Sequence, residues 1–431
     1  MTFEKLKKDY LGLANSKSAG NDIMNSFMFL SLLGANCHRN RLYVSRYGLK
    51  DLRIHQMLIQ PSRTGKGESL KVLGQALGYC GLTYTDQTQF TDAGIVGKIN
   101  SNQVTANRTK GYTPDDPEYI DPITLGDLGI YDLISFSEGK QMIKTNAYSD
   151  DKLEILQGVM DTPGKLRKKL SDEIPIEYES NTSIIGTTYP LKDFEDIFLQ
   201  QGIFQRMLIY VREFSMLDRR SLNRTLCLEE PVAGTESQYD DKMRKLCQNI
   251  VNQTNRIPNG THITFSEEGK EALFKRITKW TDLMEKEFRG EELMILSSYT
   301  TSSINLYSKI AAIAAVYNNA REITSKEVLS AHWYITEYLD SIRNEILMKT
   351  ANVDDRAMKR VILQSVNRNP KKFTAKDIVK QMSDMHPEIS DTRFHKMVID
   401  LVKKEKILKE VKIETKDSKN NIKVIRKLVR K

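Results

Sequence analysis

Through the first half of the chain, short continuous apolar runs alternate with segments of helical period. The apolar run Met24 to Leu33, followed by the basic stretch His38 to Arg46, predicts a helical lead-in over residues 1–50. The period then changes. Ile54, Met57, Leu58 and Ile59 form a short run that ends in a Pro/Ser/Gly cluster, the pattern of a buried parallel strand entering a loop. From Glu68 to Tyr79 the pattern is helical, with Leu70, Leu73 and Leu77 on one side. Leu133 to Phe136, Ser183 to Gly186 and Met207 to Val211 read as further central strands. Strands alternating with helices predict an α/β domain over residues 51–215. Residues 100–128 are rich in Pro, Asp and Gly and predict an irregular surface insertion, acidic from Asp115 to Asp121.

From Phe265 the chain reads as all-helical, with Ser266 as an N-cap and Thr324 and Glu327 spaced as a capping box; residues 216–350 form a lid-sized helical segment. A polar link at Thr350 to Asp355 leads to a last unit, residues 354–431. Met358, Val361, Ile362, Ser365 and Val366 mark its first helix, and Thr374 to Ser383 its second. Ser390 caps a third, in which Phe394, Met397, Val398, Leu401 and Val402 share one face and leave Arg393, Lys396 and Lys403 for the other. Val411 and Ile413, then DSKNN, then Ile422, Val424 and Ile425 predict a two-stranded hairpin. Three helices and a β wing make a winged helix-turn-helix.

Composition narrows the class. Hydrophobic residues are 39% and charged residues 28%, and no uninterrupted apolar run approaches the ~20 residues of a membrane span, so the expectation is a protein with no membrane segment. The first residues, MTFEKLKKDY, lack the apolar core of a secretory signal, and the expected location is the cytoplasm. Cys37, Cys80, Cys227 and Cys247 have no CxxC spacing and the six histidines are scattered, which predicts buried reduced thiols rather than disulfides or a zinc cluster. The net charge of +9 is concentrated: residues 401–431 hold 12 Lys and Arg against 4 Asp and Glu. That excess is the footprint of phosphate binding or a solvated basic tail.

Four short segments carry candidate chemistry. The loop Gln60-Pro61-Ser62-Arg63-Thr64-Gly65-Lys66-Gly67-Glu68-Ser69 resembles the phosphate-loop pattern GxxxxGK[ST], in which backbone N–H groups wrap phosphates, Lys66 neutralises their charge and a helix N-terminus adds its dipole. Gln60 stands at the first glycine. Gly67 replaces the hydroxyl that meets Mg2+, with Ser69 as the stand-in. Leu133 to Glu138 resembles a Walker B strand with Ser137 at the Asp position, leaving Ser137 and Glu138 as metal-shell candidates and Glu138 as the residue that orients the attacking water. Ser183 to Thr188 resembles a sensor strand, with Thr187 and Thr188 at its polar end. Arg206, directly before an apolar strand, fits an arginine that stabilises charge in a neighbouring subunit's site.

Order and spacing bind these segments together: 72 residues from Lys66 to Glu138, 49 to Thr187 and 19 to Arg206. The set resembles the AAA+ superfamily, most closely the minichromosome-maintenance-like helicases and a related primase/helicase-like domain family of phages and mobile elements. The resemblance spans about residues 25 to 345. It implies a P-loop ATPase core with a helical lid, ATP and Mg2+ as cofactors, and a homo-oligomeric ring, expected as a hexamer. Its action would be that of a DNA helicase or translocase in replication of a mobile element or virus. An ATP-binding replication initiator or regulator with little hydrolysis is the second reading. The resemblance also calls for a sensor-2 cation, for which the helix Thr301 to Ala315 offers only Lys309. The basic segment Lys165, Arg167, Lys168 and Lys169 falls where a DNA-touching pore hairpin is expected, or is a solvated helix end. Arg393, Lys396, Lys419, Lys423 and Arg426 are the winged-helix contacts expected for duplex DNA.

Overall fold

The computed structural model describes residues 1–18, 21–45, 48–61, 64–87, 91–139, 142, 150–169, 175–189, 202–212, 220, 236–288, 290–348, 359, 362–363, 366, 373–385, 391–404, 408–416 and 422–430. The described residues contain no helix long and apolar enough to cross a membrane. The chain divides into two compact units, one of Met1–Val211 with Glu229–Ile342, the other of Arg212–Leu228 with Arg343–Lys431.

The first unit is an α/β assembly around a five-stranded parallel sheet. Its chain order begins with helices α1 (Phe3–Lys17) and α2 (Asp22–Arg39), then strands β1 (Tyr43–Ser45), β2 (Leu49–Asp51) and β3 (His55–Ile59). Helix α3 (Lys66–Tyr79) and β4 (Tyr84–Gln87) follow, then α4 (Asp92–Ile95), β5 (Gly97–Ile99), α5 (Ser101–Lys110), β6 (Ile123–Leu125), α6 (Asp127–Ile130) and β7 (Leu133–Phe136). Next come α7 (Asp150–Met160), β8 (Lys165–Lys169), β9 (Pro175–Glu179), β10 (Ser183–Thr188) and β11 (Met207–Val211). After them lie α8 (Glu236–Thr254), β12 (His262–Phe265), α9 (Glu267–Glu287), α10 (Gly290–Tyr317), β13 (Glu322–Ile323) and α11 (Ser325–Met348), of which the residues up to Ile342 belong to this unit.

The large sheet has the order β11-β3-β10-β7-β4, and every neighbouring pair is parallel. All residues of β3, β7, β10 and β11 are buried, as expected of strands covered by helices on both faces, and this is why they read as unbroken apolar runs. Met207 pairs with His55, Gly186 with Met57 and Ile134 with Ile184, so the strands start and end nearly level. Helix α2 is buried almost all round, at fourteen of its positions. Its Gly34 lies against the chain leading into β3: a Cβ there would stand 2.7 Å from the Leu52 carbonyl oxygen. Helix α1 adds Phe3, Leu6, Tyr10 and Ala14 at helical spacing, and its first amide donates to Asn318 Oδ1 at 3.0 Å.

Both capping signals are realised: Gly269 N donates to Ser266 Oγ at 3.1 Å, and Thr324 donates to Glu327 from its amide at 3.1 Å and its hydroxyl at 2.6 Å. A second sheet, β13-β12-β1-β2, joins two segments more than 200 residues apart, with Tyr43 opposite His262. The segment 100–128, expected to be irregular, is instead built: β5 and β6 pair antiparallel around α5, and Asn107, buried in that helix, donates to the Ile120 carbonyl at 2.7 Å. The Pro and Asp residues lie in the connection from α5 to β6, where turn chemistry belongs.

In the second unit, helices α12 (Ala375–Met385) and α13 (Asp391–Ile399) pack on described residues of the preceding segment. Ile362, Leu363, Val366, Ile378, Met382, Phe394, Met397, Val398, Leu401 and Leu408 form one buried core. The antiparallel hairpin β14 (Leu408–Lys416) and β15 (Ile422–Arg430) completes it. The polar link 350–355, the cap Ser390 and the turn 417–421 lie outside the described residues.

Candidate nucleotide site and the opposite sheet edge

The carboxyl end of β3 runs into the loop that contains Lys66. Gln60 N still donates to Thr188 O at 2.9 Å, so the β3–β10 ladder continues to the first residue of the loop. Gly65 then takes φ +80°, a left-handed conformation that other residues adopt only with strain, and becomes the N-cap of α3. Gly65 has no side chain with which to cap this helix, and among the described residues the N–H groups of its first turn keep their donors for another acceptor. The loop is held from behind. Gln60 and Asn21 face each other amide to amide at 3.3 Å, Asn21 Nδ2 donates to Thr64 O at 3.0 Å, and Thr64 Oγ1 donates to Pro61 O at 2.8 Å. Gln60, which breaks the glycine pattern, is thus the residue that fastens the loop to the start of α2.

Lys66 Nζ donates to the Gln60 and Pro61 carbonyls, each at 2.7 Å. Burial lowers its pKa to about 8, partly offset by the charge of Glu138, which places the Glu138 carboxylate in electrostatic reach of the lysine. The end of β7 is clasped to β10: Thr187 Oγ1 donates to Ser137 O at 3.2 Å, and Gly139 N donates to Thr187 O at 2.7 Å. Because β10 lies between β3 and β7, Thr187 and Thr188 sit between the Lys66 loop and Ser137-Glu138. Carboxyl ends of parallel strands are where open α/β sheets bind ligands. An ammonium, an uncapped helix start and a glycine turn fit a polyphosphate, the group with which ATP would be held. Pro61, Thr64, Gly65, Lys66 and Gly67 line this edge; Ser62 and Arg63 lie outside the described residues.

Several expectations fail here. Ser69 is not placed to stand in for the hydroxyl missing at Gly67: it is fully buried, two positions (about 200°) further round α3, and its Oγ finds no hydrogen-bond partner among the described residues. Gly67 itself is exposed, with nothing within 4 Å of an added Cβ. Glu68 is turned to solvent and pairs with Lys71 at 2.7 Å. Among the described residues no group of three or more His, Cys, Asp or Glu side chains converges; the metal positions expected here, Ser69, Ser137 and Glu138, hold a single carboxylate. Asp86, which the sequence reading missed, adds a carboxylate on the neighbouring β4, where Ser135 Oγ donates to it at 2.5 Å. Nothing in its local sequence, YTDQ, distinguishes it from an edge-strand acid.

Lys309 is at the wrong end of the sheet for a nucleotide contact. Its ammonium donates to Asp51 Oδ1 at 3.3 Å and to the Arg53 carbonyl at 3.1 Å, both preceding the amino end of β3 and so separated from the loop by at least the ~13 Å length of that strand. Asp51 also binds Arg53 Nη2 at 2.8 Å and the Thr162 hydroxyl at 2.7 Å. Arg53 donates further to Ser180 O at 2.8 Å and Asp161 O at 2.8 Å. Burial would raise the Asp51 carboxyl, but Lys309 and Arg53 outweigh it and hold the pKa well below the usual range. His55, buried beside the same cations, is held well below the ordinary histidine value by burial, then by Arg53 and Lys309; its Nδ1 accepts from Ile184 N at 3.2 Å.

Arg206 shares this amino edge. It precedes Met207, the partner of His55, and is bound by Asp161 at 2.7 and 3.2 Å and by the Gly202 carbonyl at 2.9 Å. The structure therefore brings Lys66, Glu138, Thr187 and Thr188 together and leaves Arg206 and Lys309 at the other end. Neither the family models nor the curated proteins searched contain a match to this chain.

The basic residues meet the sequence expectation in part. Lys165 to Lys169 form a strand of a hairpin, not a helix end, and the exposed Lys165 and Arg167 stand opposite Glu179 and Glu177. Arg167 Nε and Glu177 Oε2 are 3.7 Å apart. The hairpin stem is therefore nearly charge-balanced along that row, which the cations alone did not reveal; of Lys168 and Lys169 only the backbone is described. Arg393 and Lys396 are exposed on α13, opposite its buried Phe394, Met397 and Val398. Lys419 lies outside the described residues. Lys423 and Arg426 oppose Thr415 and Lys412, and their odd spacing puts the two positions on opposite faces of the ribbon.

Proposed function

We propose that the chain is a subunit of an oligomeric, ATP-driven motor that acts on DNA, with an AAA+-type P-loop core and a C-terminal winged helix. The observation that carries the reading is the division of candidate groups between the sheet edges. Lys66, Glu138 and Thr187 gather at one, and Arg206 stands at the other, out of reach of its own loop but able to serve a neighbour's. ATP bound at the loop would supply the phosphoryl group for hydrolysis. Lys66 and the α3 amides would hold its charge, Glu138 would orient water, and Thr187 would fix the geometry between them. Arg206 acting on a neighbour's site calls for an oligomer, for which the resemblance implies a hexamer, and the buried thiols of Cys37, Cys80 and Cys247 suit a reducing compartment such as the cytoplasm.

A second reading has its own support. With Ser69 turned inward, Gly67 without a hydroxyl and Lys309 committed elsewhere, a nucleotide-binding initiator or regulator with little turnover is the alternative. Steady-state hydrolysis decides between them. ATP turnover stimulated by single-stranded or forked DNA, and lost in Lys66→Ala, Glu138→Gln and Arg206→Ala, is the expected result. Tight binding without turnover in the intact protein would sink the motor and leave the initiator.

A further inference from the structure

Asp161 is held on two sides. Its carboxylate grips Arg206 through Nε at 2.7 Å and Nη2 at 3.2 Å, a two-point contact that fixes the plane of the guanidinium. Its backbone carbonyl accepts from Arg53 Nη2 at 2.8 Å, and the next residue, Thr162, donates its hydroxyl to Asp51 and accepts from the Asp51 amide at 3.2 Å. Gly164 closes the segment: an added Cβ would stand 2.8 Å from Arg53 Nη1 and 2.6 Å from the Ser180 and Val159 carbonyl oxygens. Arg53 and Asp51 are in turn bound by Lys309, which belongs to α10. An unbroken chain of contacts thus runs from α10 through a buried ionic cluster to the guanidinium at the surface. Along it the side chains pass from the interior to the surface: Lys309 is 9% exposed, Asp51 2% and Arg53 1%, then Asp161 54% and Arg206 34%.

We propose that Asp161 is a positioning residue for Arg206 and that the Asp51–Arg53–Lys309 cluster sets that position relative to helix α10. The proposal rests on the reading of Arg206 as an arginine that acts on a neighbouring subunit. In that role a guanidinium must be pre-aimed, because an arginine free to rotate spends its contact energy on being ordered. Asp161 supplies the aim without claiming the whole side chain: Nη1 is held only by the Gly202 carbonyl among the described contacts. The cluster gives the aim a reference, since α10 cannot shift against β3 without breaking Lys309 from Asp51 or carrying Asp161 with it.

Asp161→Asn is the clean variant. It keeps the carbonyl that binds Arg53, and an ion pair this exposed contributes little to stability, so the variant should fold. With the full-length oligomer, kcat is expected to fall 10- to 100-fold with KM for ATP within twofold, because the lost contact acts only in the transition state. Mixing provides the readout that a purely structural role would not move. Asp161→Asn subunits mixed with Lys66→Ala subunits should recover activity, since each Lys66→Ala neighbour presents a correctly held Arg206; mixed with Arg206→Ala subunits they should not. An Asp161→Asn enzyme with kcat within twofold of the intact protein, while Arg206→Ala is inactive, would overturn the proposal, and so would a loss that Lys66→Ala fails to complement. If the intact protein does not hydrolyse ATP, the motor reading falls, and the positioning claim is decided separately. In the 15N-arginine-labelled full chain, Arg206 Nε–H should exchange slowly with water and at least tenfold faster in Asp161→Asn. Equal rates would refute it.

Discussion

The two ends of the parallel sheet use the same residue types to opposite ends. At the amino edge Asp51, Arg53 and Lys309 are buried and bound to one another and to four backbone carbonyls. At the carboxyl edge Lys66 donates, among the described residues, to two carbonyls of its own loop, with a helix start beside it whose N-cap is a glycine. A cation whose donors are spent on a buried carboxylate is architecture. One whose partners are replaceable loop carbonyls is available to a ligand. That difference separates Lys309 from Lys66, although the loop pattern for Lys66 and the family resemblance for Lys309 made both expected nucleotide contacts.

The comparison is most easily broken at Asp51. Asp51→Ala would leave Arg53 and Lys309 buried without their counter-charge and should cost about 3–5 kcal/mol in urea unfolding; a loss below 1 kcal/mol would mean that the amino edge is as replaceable as the loop. Lys66→Ala should do the reverse: nucleotide affinity falls about 100-fold, roughly 2.7 kcal/mol, while unfolding stability changes by less than about 1 kcal/mol. Fluorescent-nucleotide titration and urea curves on the same preparation test both halves. The pH dependence is smaller. The free Lys66 ammonium titrates near 8 and bound phosphate must raise that value, so binding takes up a proton between the two. Affinity should fall by up to about tenfold per unit as pH rises above 8, and Lys66→Arg should flatten the fall because arginine stays charged. Gly67→Ser should have the mildest effect, a several-fold gain in Mg2+-dependent turnover with no loss of stability, given the open space there. No gain would place the metal's hydroxyl contact elsewhere.

What was legible in the sequence follows from burial. The central strands announced themselves because they are covered on both faces, and the loop because it couples a strand end to a helix start. The caps Ser266 and Thr324-Glu327 were legible because their partners are three residues away. The four-stranded sheet was not: its strands are two to four residues long, and β1 meets β12 across more than 200 positions, a pairing that no local period encodes. The α5 insertion was hidden by polarity, since only Asn107 of that helix is buried and its stabilisation is a side-chain bond to the Ile120 carbonyl rather than an apolar stripe. Ser69 and Lys309 misled for a related reason. Spacing locates a residue along the chain, whereas their roles depend on which way the helix faces and at which end of the strand its partner stands.

The bond from the amide of Phe3 to Asn318 has a temporal consequence. At roughly 5–20 residues per second, a ribosome needs on the order of 15–60 s to go from the first residue to the second. For that interval α2, with fourteen positions destined for the interior, has neither α10 nor α11 to cover it, and β3 waits for both of its neighbours. The nascent chain therefore spends much of its synthesis with this largely apolar helix exposed, and efficient production should depend on chaperone occupancy early in translation.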